Sequence, residues 1–190
     1  MAGIGTSTAS AHLARLKEQK LVTVLAQGKH RYYALGGVEV AAALEALMQV
    51  AGLSQPAFVP GTPHRLRNAR TCYDHMAGAV GVALHGHMAK QCWLVPLEED
   101  QNGYQLSDGG IAAMEQLGLD LDRIRATRRR FACACLDWSE RRPHLGGALG
   151  AAIFALLVRR SWVERDLDSR ALSITAEGKR ALMRHFAFDA

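Results

Sequence analysis

Apolar residues in this chain fall at helical spacing in some stretches and in short strand-like runs in others. Ala9, Leu13 and Leu16 recur at steps of four and three, which predicts a helix over 7–19 with one apolar stripe. Ser7 or Thr8 is placed to cap its start, and His12, Arg15, Lys17 and Lys20 supply polar groups around the rest. Two β-prone runs follow, 21–26 and His30–Leu35, with turn residues Gln27, Gly28 and Lys29 between them, so a hairpin is expected. Beyond Gly36 and Gly37 the helical period returns at Val40, Ala43, Leu44, Leu47 and Val50, predicting a helix over Val38–Val50. Residues 52–62, with Pro56 and Pro60, read as a linker. Two domains are therefore expected, 1–51 and 63–190.

The second domain contains an internal repeat. His75, Gly78 and Gly81 match His144, Gly147 and Gly150 at a constant offset of 69 residues, which persists to Trp93 and Trp162. Leu106-Ser107-x-x-Gly110 then matches Ile174-Thr175-x-x-Gly178 at an offset of 68. Ser107 and Thr175 are expected to cap helices over 108–117 and 176–186. Two copies follow, about 65–120 and 134–190, each a helix, a small β-hairpin and a helix, as in a winged-helix-like unit. Each glycine costs a helix interior about 1 kcal/mol relative to alanine, which points to close approach of a second backbone. The expected arrangement is a pseudo-twofold crossing of helices over 68–93 and 142–162, with His75 and His144 brought near each other. The fold class expected is α+β: mainly α, with short β-hairpins.

Composition adds a partner class. The net charge of +5 and pI of about 9.3 suit a polyanion. Arg123, Arg125, Arg128, Arg129 and Arg130 form either a solvated helix face or a nucleic-acid backbone contact. Four cysteines, at 72, 92, 133 and 135, are too few and scattered for a secreted disulfide framework, which favours a reducing cytoplasm. No signal peptide is evident. The longest apolar run, 145–158, contains three glycines and falls short of the roughly 20 residues of a bilayer span, so it reads as a buried helix and no membrane partner is expected.

The candidate chemistry lies in two strings, Arg70-Thr-Cys72-Tyr-Asp74-His75 and Cys133-Ala-Cys135-Leu-Asp137-Trp-Ser-Glu-Arg-Arg-Pro-His144. Cys72 and His75, three apart, are expected on one helix face, with Cys135, Asp137 and His144 joining them if the second domain folds back as described. Four readings stay open for Cys72, Asp74, His75, Cys135, Asp137 and His144. The cysteines and histidines are ordinary buried groups; Cys72, His75, Cys135 and His144 ligate a metal ion; Cys72 or Cys135 is a reactive thiol beside Arg70, Arg141 or Arg142; or the two copies hold a small organic effector. Asp137 and Glu140 are expected to pair with Arg141 and Arg142. His85 and His87 read as surface residues. No phosphate-binding glycine loop, Gly-x-Ser-x-Gly elbow or His-Glu-x-x-His is present, so no enzyme class is indicated and no cofactor is assigned.

Ser7, His12, Leu13, Leu16, Leu21 and Val22, followed by Gly28, Tyr33 and Leu35, form a pattern that resembles the recognition helix and wing of the ArsR-type winged helix-turn-helix regulators. The two Cys/His strings resemble the C-terminal extension of one ArsR-type subgroup. The resemblance implies a homodimeric, DNA-binding transcriptional regulator, a repressor, with Val38–Val50 as the dimerisation helix. It implies base-edge or phosphate contacts from Ser7, Thr8, Ser10 and His12 and phosphate contacts from Arg15 and Lys17. Lys29, His30 and Arg31 would reach the backbone or minor groove from the wing. The family's metal sites use cysteines on or before the recognition helix, or Asp and His on the dimer helix; 7–19 has no cysteine and Val38–Val50 has neither Asp nor His. Any effector, unidentified from the sequence, is then expected in 63–190. Only Met1–Thr6 precede the recognition helix, so the two supporting helices are expected to be missing through truncation or a late start codon. The alternative reading follows: a ligand- or redox-sensing protein that does not bind DNA.

Overall fold

The computed structural model describes residues 5–27, 30–50 and 63–187, in two compact units, Met1–Val59 and Pro60–Ala190. Gly28, Lys29 and the expected linker at 52–62 lie outside the described residues. Helices and strands are mixed throughout. No helix among the described residues is long and apolar enough to cross a membrane.

In the first unit, α1 spans Thr6–Glu18 and is capped by the extended backbone of Gly5, not by Ser7 or Thr8. The Ala9 N–H bonds to the Gly5 carbonyl at 3.0 Å, which draws both hydroxyl residues into the first turn. The Ser10 hydroxyl donates back to the Thr6 carbonyl, also at 3.0 Å. Strands β1 (Val22–Gln27) and β2 (His30–Leu35) pair antiparallel from Val22↔Leu35 to Gln27↔His30. A Cβ on Gly36 would lie 2.0 Å from the Lys20 carbonyl oxygen, so the chain leaves the hairpin through a residue without one. Helix α2 is Val38–Val50. No residue of α1 is buried, and Leu44, Leu47 and Val50 of α2 are exposed.

The second unit runs through the same order of elements twice. The first half is α3 (His64–Asn68), β3 (Arg70–Cys72), β4 (His75–Ala77), α4 (Ala79–Lys90), β5 (Leu94–Pro96), β6 (Gly103–Leu106) and α5 (Asp108–Gln116). The second half is α6 (Leu121–Arg125), β7 (Ala132–Leu136), β8 (Pro143–Gly146), α7 (Gly147–Arg159), β9 (Val163–Arg165), β10 (Leu172–Ile174) and α8 (Ala176–Phe186). Each half thus carries a short helix and a hairpin ahead of the elements expected from sequence. The long helices expected over 68–93 and 142–162 begin instead at Ala79 and Gly147, because Gly78 and Gly147 take φ of +86° and +82° and break the helix at the turn out of the strand. Ser107 and Thr175 accept hydrogen bonds from Gly110 N and Gly178 N at 3.2 and 2.9 Å, closing the starts of α5 and α8.

The halves exchange partners. The second hairpin of the first half and the first hairpin of the second half form one sheet of order β5-β6-β7-β8. The remaining hairpins meet through an Arg70↔Ala171 bridge and a Leu172 N–H bond to Ala69 O at 3.0 Å. Helix α4 packs on β8 and α7 on β4, so each long helix covers a hairpin of the other half. Val80, Leu84 and Met88 of α4 and Leu149, Ile153 and Phe154 of α7 lie in the core between them. Gly81 and Gly150 do not mark a helix-to-helix backbone contact. A Cβ there would sit 2.6 Å from Met76 O and 2.3 Å from Leu145 O, the preceding strand of the same half. The next neighbour of each is the Cβ of a histidine in the other half, His144 at 3.5 Å and His75 at 3.4 Å.

His85 is not a surface residue. It is 6% exposed, its Nε2 lies 3.2 Å from the Tyr104 hydroxyl, and burial, with the charges of His144 and Arg142, lowers its pKa to about 4. An unfolded chain protonates this ring near pH 6.5 and the folded one only near 4. Its contribution is therefore intact above 6.5 and declines as pH falls through that window, by on the order of 2–3 kcal/mol. His85→Gln is expected to flatten the stability curve between pH 6.5 and 4, measured by urea unfolding at stepped pH.

Glycine substitutions should separate by position. A Cβ at Gly178 would stand 2.0 Å from Trp162 O, whereas one at Gly86, inside α4, meets only Arg142 Nη2 at 3.9 Å. Gly178→Ala is expected to lower unfolding free energy by about 1–3 kcal/mol. Gly86→Ala is expected to raise it by about 0.5–1 kcal/mol. Urea denaturation of both variants checks the contrast.

Candidate functional site

In the first unit, Thr8, His12 and Arg15 follow at steps of four and three and share one face of α1. Ser7, Thr8, Ser10, His12, Arg15 and Lys17 are all exposed, while Ala9 and Leu13 are half-buried. Arg31, opposite Ala26 on β2, is also exposed. His30 lies in β2, and Lys29 is outside the described residues.

The buried polar site belongs to the second unit. Cys72 and His75 do not share a helix face. They are a directly opposed pair across the β3–β4 hairpin, and Cys135 and His144 are the corresponding pair across β7–β8. Opposed residues of an antiparallel pair present both side chains on one face, with Cβ atoms about 5 Å apart. The partner exchange turns the two faces toward each other. The His75 and His144 ring centroids are 5.2 Å apart, and the Cys72 and Cys135 sulfurs 3.9 Å. One donor atom from each of the four residues can be chosen so that all lie within 4.8 Å of one another. His75, Cys135 and His144 are buried and Cys72 half-buried.

Behind each imidazole stands a carboxylate. His75 Nδ1 is 3.3 Å from Asp74 Oδ1, and His144 Nδ1 is 3.2 Å from Asp137 Oδ2. The Nε2 atoms of both rings, and His144 Nδ1, are buried without a hydrogen-bond partner. Each carboxylate is in turn held by an arginine. Arg129 pairs with Asp74 near the surface. Arg70, 1% exposed, donates to Asp137, 0% exposed, at 2.7 Å. Arg141 and Arg142 meet Asp137 through backbone hydrogen bonds, both at 2.9 Å, and form no ion pair with its carboxylate. The Gly78 N–H, at 2.7 Å, and the Ser139 N–H and hydroxyl, at 2.9 and 2.8 Å, complete its shell. Arg70 also donates to Leu66 O and Ser139 Oγ, and its guanidinium lies 4.2 Å from the Trp138 ring centroid.

Burial would raise the Asp137 carboxyl, but His144, Arg70 and Gly78 outweigh it and hold it well below the carboxylate range. The Cys135 thiol, with His144 and His75, holds the Cys72 thiol far below its ordinary value against burial. Burial lowers His144, yet Asp137 and Cys72 more than offset it and its pKa is raised. The site is thus a pair of thiols and a pair of imidazoles in a field that favours thiolate. Two soft sulfurs and two imidazole nitrogens suit a metal ion of zinc type or a dithiol–disulfide exchange.

Sequence reading missed several of these partners. Ser139 and the Glu140 N–H wrap Asp137 in a turn of the Asx kind, a signal present in the Asp-x-Ser spacing. Arg129 was read only as one of a basic cluster. Within that cluster Arg129 pairs with Asp74, Arg130 Nε with Asp100 Oδ2 at 3.1 Å, and Arg125 with Asp122 at 3.9 Å, so much of its charge is used inside the unit. A cavity of about 460 Å³ adjoins α6 and α7, lined by Arg123, Arg129 and Arg159 with Ala148, Ala152 and Ala155; none of the four Cys/His donors lines it.

These features define a mixed helix-and-strand protein of two units, one an exposed basic helix with a hairpin, the other a twofold arrangement around a buried polar cluster. Over 187 residues the chain is 36% identical to the uncharacterized HTH-type transcriptional regulator YdfF of Bacillus subtilis (strain 168), a match covering 97% of this chain and 81% of that relative. The chain belongs to the HTH-type transcriptional regulators. No family model and no solved structure matches it.

The Arg70–Asp137 pair joins the halves, and loss of one partner leaves a buried charge. Arg70→Met is expected to lower unfolding free energy by about 3–5 kcal/mol, while the surface control Arg65→Met, at the exposed Asp166 pair, changes it by less than about 1 kcal/mol. Chemical denaturation monitored by tryptophan fluorescence reads both.

Proposed function

We propose that this protein is a sequence-specific DNA-binding transcriptional repressor of the ArsR type, a cytoplasmic homodimer whose second unit binds an effector. The reading is carried by α1 and the β1–β2 hairpin, whose exposed Arg15, Lys17 and Arg31 sit in a chain 36% identical to an HTH-type regulator. A helix followed by a two-stranded hairpin is the order of a recognition helix and wing. Thr8 and His12 are the candidates for base edges, with Ser7 and Ser10 beside them; Arg15, Lys17 and Arg31 are those for phosphates. The exposed Leu44, Leu47 and Val50 of α2 support its role in dimerisation. The second unit supplies winged-helix-like repeats around a buried cluster, and no enzymatic role is proposed for it.

Binding of the full chain to duplex DNA from upstream of its own gene, followed by fluorescence anisotropy, tests this. Affinity is expected to fall steeply with salt. Arg15→Ala and Arg31→Ala are each expected to reduce the salt slope by about one while leaving sequence preference unchanged. His12→Ala is expected to relax the preference itself. Absence of salt-dependent binding would refute the reading and leave a sensing protein that does not bind DNA.

A further inference from the structure

We propose that Cys72, His75, Cys135 and His144 together bind one metal ion of the zinc class, with two ligands from each half of the second unit, and that this ion is the effector. The binding site stands on its own geometry; only the word effector rests on the regulatory reading above.

Three independent features converge on an ion. The first is distance. Two sulfurs bound tetrahedrally at about 2.3 Å from one ion stand roughly 3.8 Å apart. The Cys72 and Cys135 sulfurs are 3.9 Å apart, with all four donor atoms within 4.8 Å of one another. The second is the state of the imidazoles. Buried polar atoms are normally hydrogen-bonded, yet His75 Nε2 and His144 Nε2 are buried without a partner. His75 Nδ1 is hydrogen-bonded to Asp74 at 3.3 Å, and His144 Nδ1 lies 3.2 Å from Asp137 Oδ2, at ion-pair distance without hydrogen-bond geometry. A carboxylate behind the non-ligating nitrogen is the usual support of a metal-bound histidine. The third is symmetry. The cluster is made of one Cys–His pair from each of two corresponding hairpins, so the arrangement recurs in both halves.

The donor types select the ion. Two thiolates and two imidazoles are soft to borderline ligands, which disfavours calcium and magnesium. A divalent ion on two thiolates leaves no net charge on the core of the site, and the thiol protons go to solvent on binding. Four protein donors fill a tetrahedral shell, the closed arrangement of sites that bind rather than catalyse. A Cys72–Cys135 disulfide is the competing outcome. It would need the sulfurs to close to about 2.05 Å and an oxidant to take two electrons, and both Nε2 atoms would remain unpartnered. An ion satisfies all four groups at once.

The full chain, reduced and freed of metal by a chelator, is titrated with Co²⁺ and then Zn²⁺ in the absence of DNA. One Co²⁺ per chain is expected, with a thiolate-to-cobalt charge-transfer band and the intense visible bands of tetrahedral coordination, both abolished by Zn²⁺. Cys72→Ser is expected to weaken binding by roughly 100-fold or more and Asp74→Asn by about 10-fold, while Cys92→Ser, an exposed cysteine, leaves it unchanged. The wild-type spectrum needs no variant to fold, so the proposal remains testable if Cys72→Ser does not. Absence of the charge-transfer band, or unaltered binding in Cys72→Ser, would overturn the site. So would recovery of a Cys72–Cys135 disulfide as the species that excludes metal from freshly purified protein. A separate anisotropy titration with and without Zn²⁺ reads the effector role. A change in DNA affinity of about fivefold or more is expected; an unchanged affinity overturns that role alone, and failure to bind DNA in either state counts against the regulatory reading, not the site.

Discussion

Arg70 and Asp137 give up nearly all their water in the folded second unit, at 1% and 0% exposure. Removing such charges from water costs several kcal/mol per ion, and only good geometry repays it. The repayment here is dense: one guanidinium, two backbone amides and a hydroxyl converge on a single carboxylate within 3.0 Å, while its second oxygen also faces His144. Each contact ties together something otherwise separate. Arg70 lies on the first hairpin of one half, Asp137 in the hairpin loop of the other, and Gly78 at the start of the helix that covers that second hairpin. The carboxylate thereby fixes where α4 begins, how β3 meets β7–β8, and which way the His144 ring faces.

The exchange of hairpins follows from this and from the core. Each long helix packs on a hairpin of the opposite half, α4 on β8 and α7 on β4, while Val80, Leu84 and Met88 of α4 and Leu149, Ile153 and Phe154 of α7 share one core. Glycine at 81 and 150 lets each helix settle onto its own preceding strand while a histidine from across the axis fills the space beside it. The small residues therefore set the spacing of the two imidazoles. The same packing that buries the core brings the four sulfur and nitrogen donors together.

Much of this was readable. The glycine and histidine spacing made the nearness of His75 and His144 legible, since a constant offset implies corresponding places. Cys72 and Cys135 escaped the same comparison because the spacing from cysteine to histidine is six residues longer in the second hairpin, which moves their offset to 63. The hairpins themselves were hidden for a different reason. Short apolar runs such as His75–Ala77 have no period long enough to tell strand from helix. Sequence proximity points to Arg141 and Arg142 as the cations for Asp137; the arginine that pairs with its carboxylate, Arg70, is 67 residues away and is set by the exchange. His85 was misread because helical angle alone does not say that β6 lays Tyr104 beside α4.

A ligand shared between two halves differs thermodynamically from one held within either. Its binding free energy depends on the separation of the two hairpins, because tetrahedral bond lengths tolerate little stretch. Any alternative arrangement of the halves that parts the sulfurs would lose ligands, so an ion bound there would discriminate between arrangements by much of its affinity. Differential affinity is the one means by which a ligand shifts an equilibrium. Linkage then runs both ways: if DNA favours one arrangement of the second unit, it must change the affinity for the ion by the same factor that the ion changes the affinity for DNA. The rigid Arg70–Asp137 tie opposes this, since it holds the halves in one register whether or not the donors are bridged. The less buried Arg129–Asp74 pair, its side chains 46% and 47% exposed, is the weaker of the two ties and stands directly behind His75. Because Arg70 anchors the start of β3 to Asp137, movement in response to an ion is expected first at the turn end of the β3–β4 hairpin, where half-buried Cys72 and buried His75 sit beside Asp74.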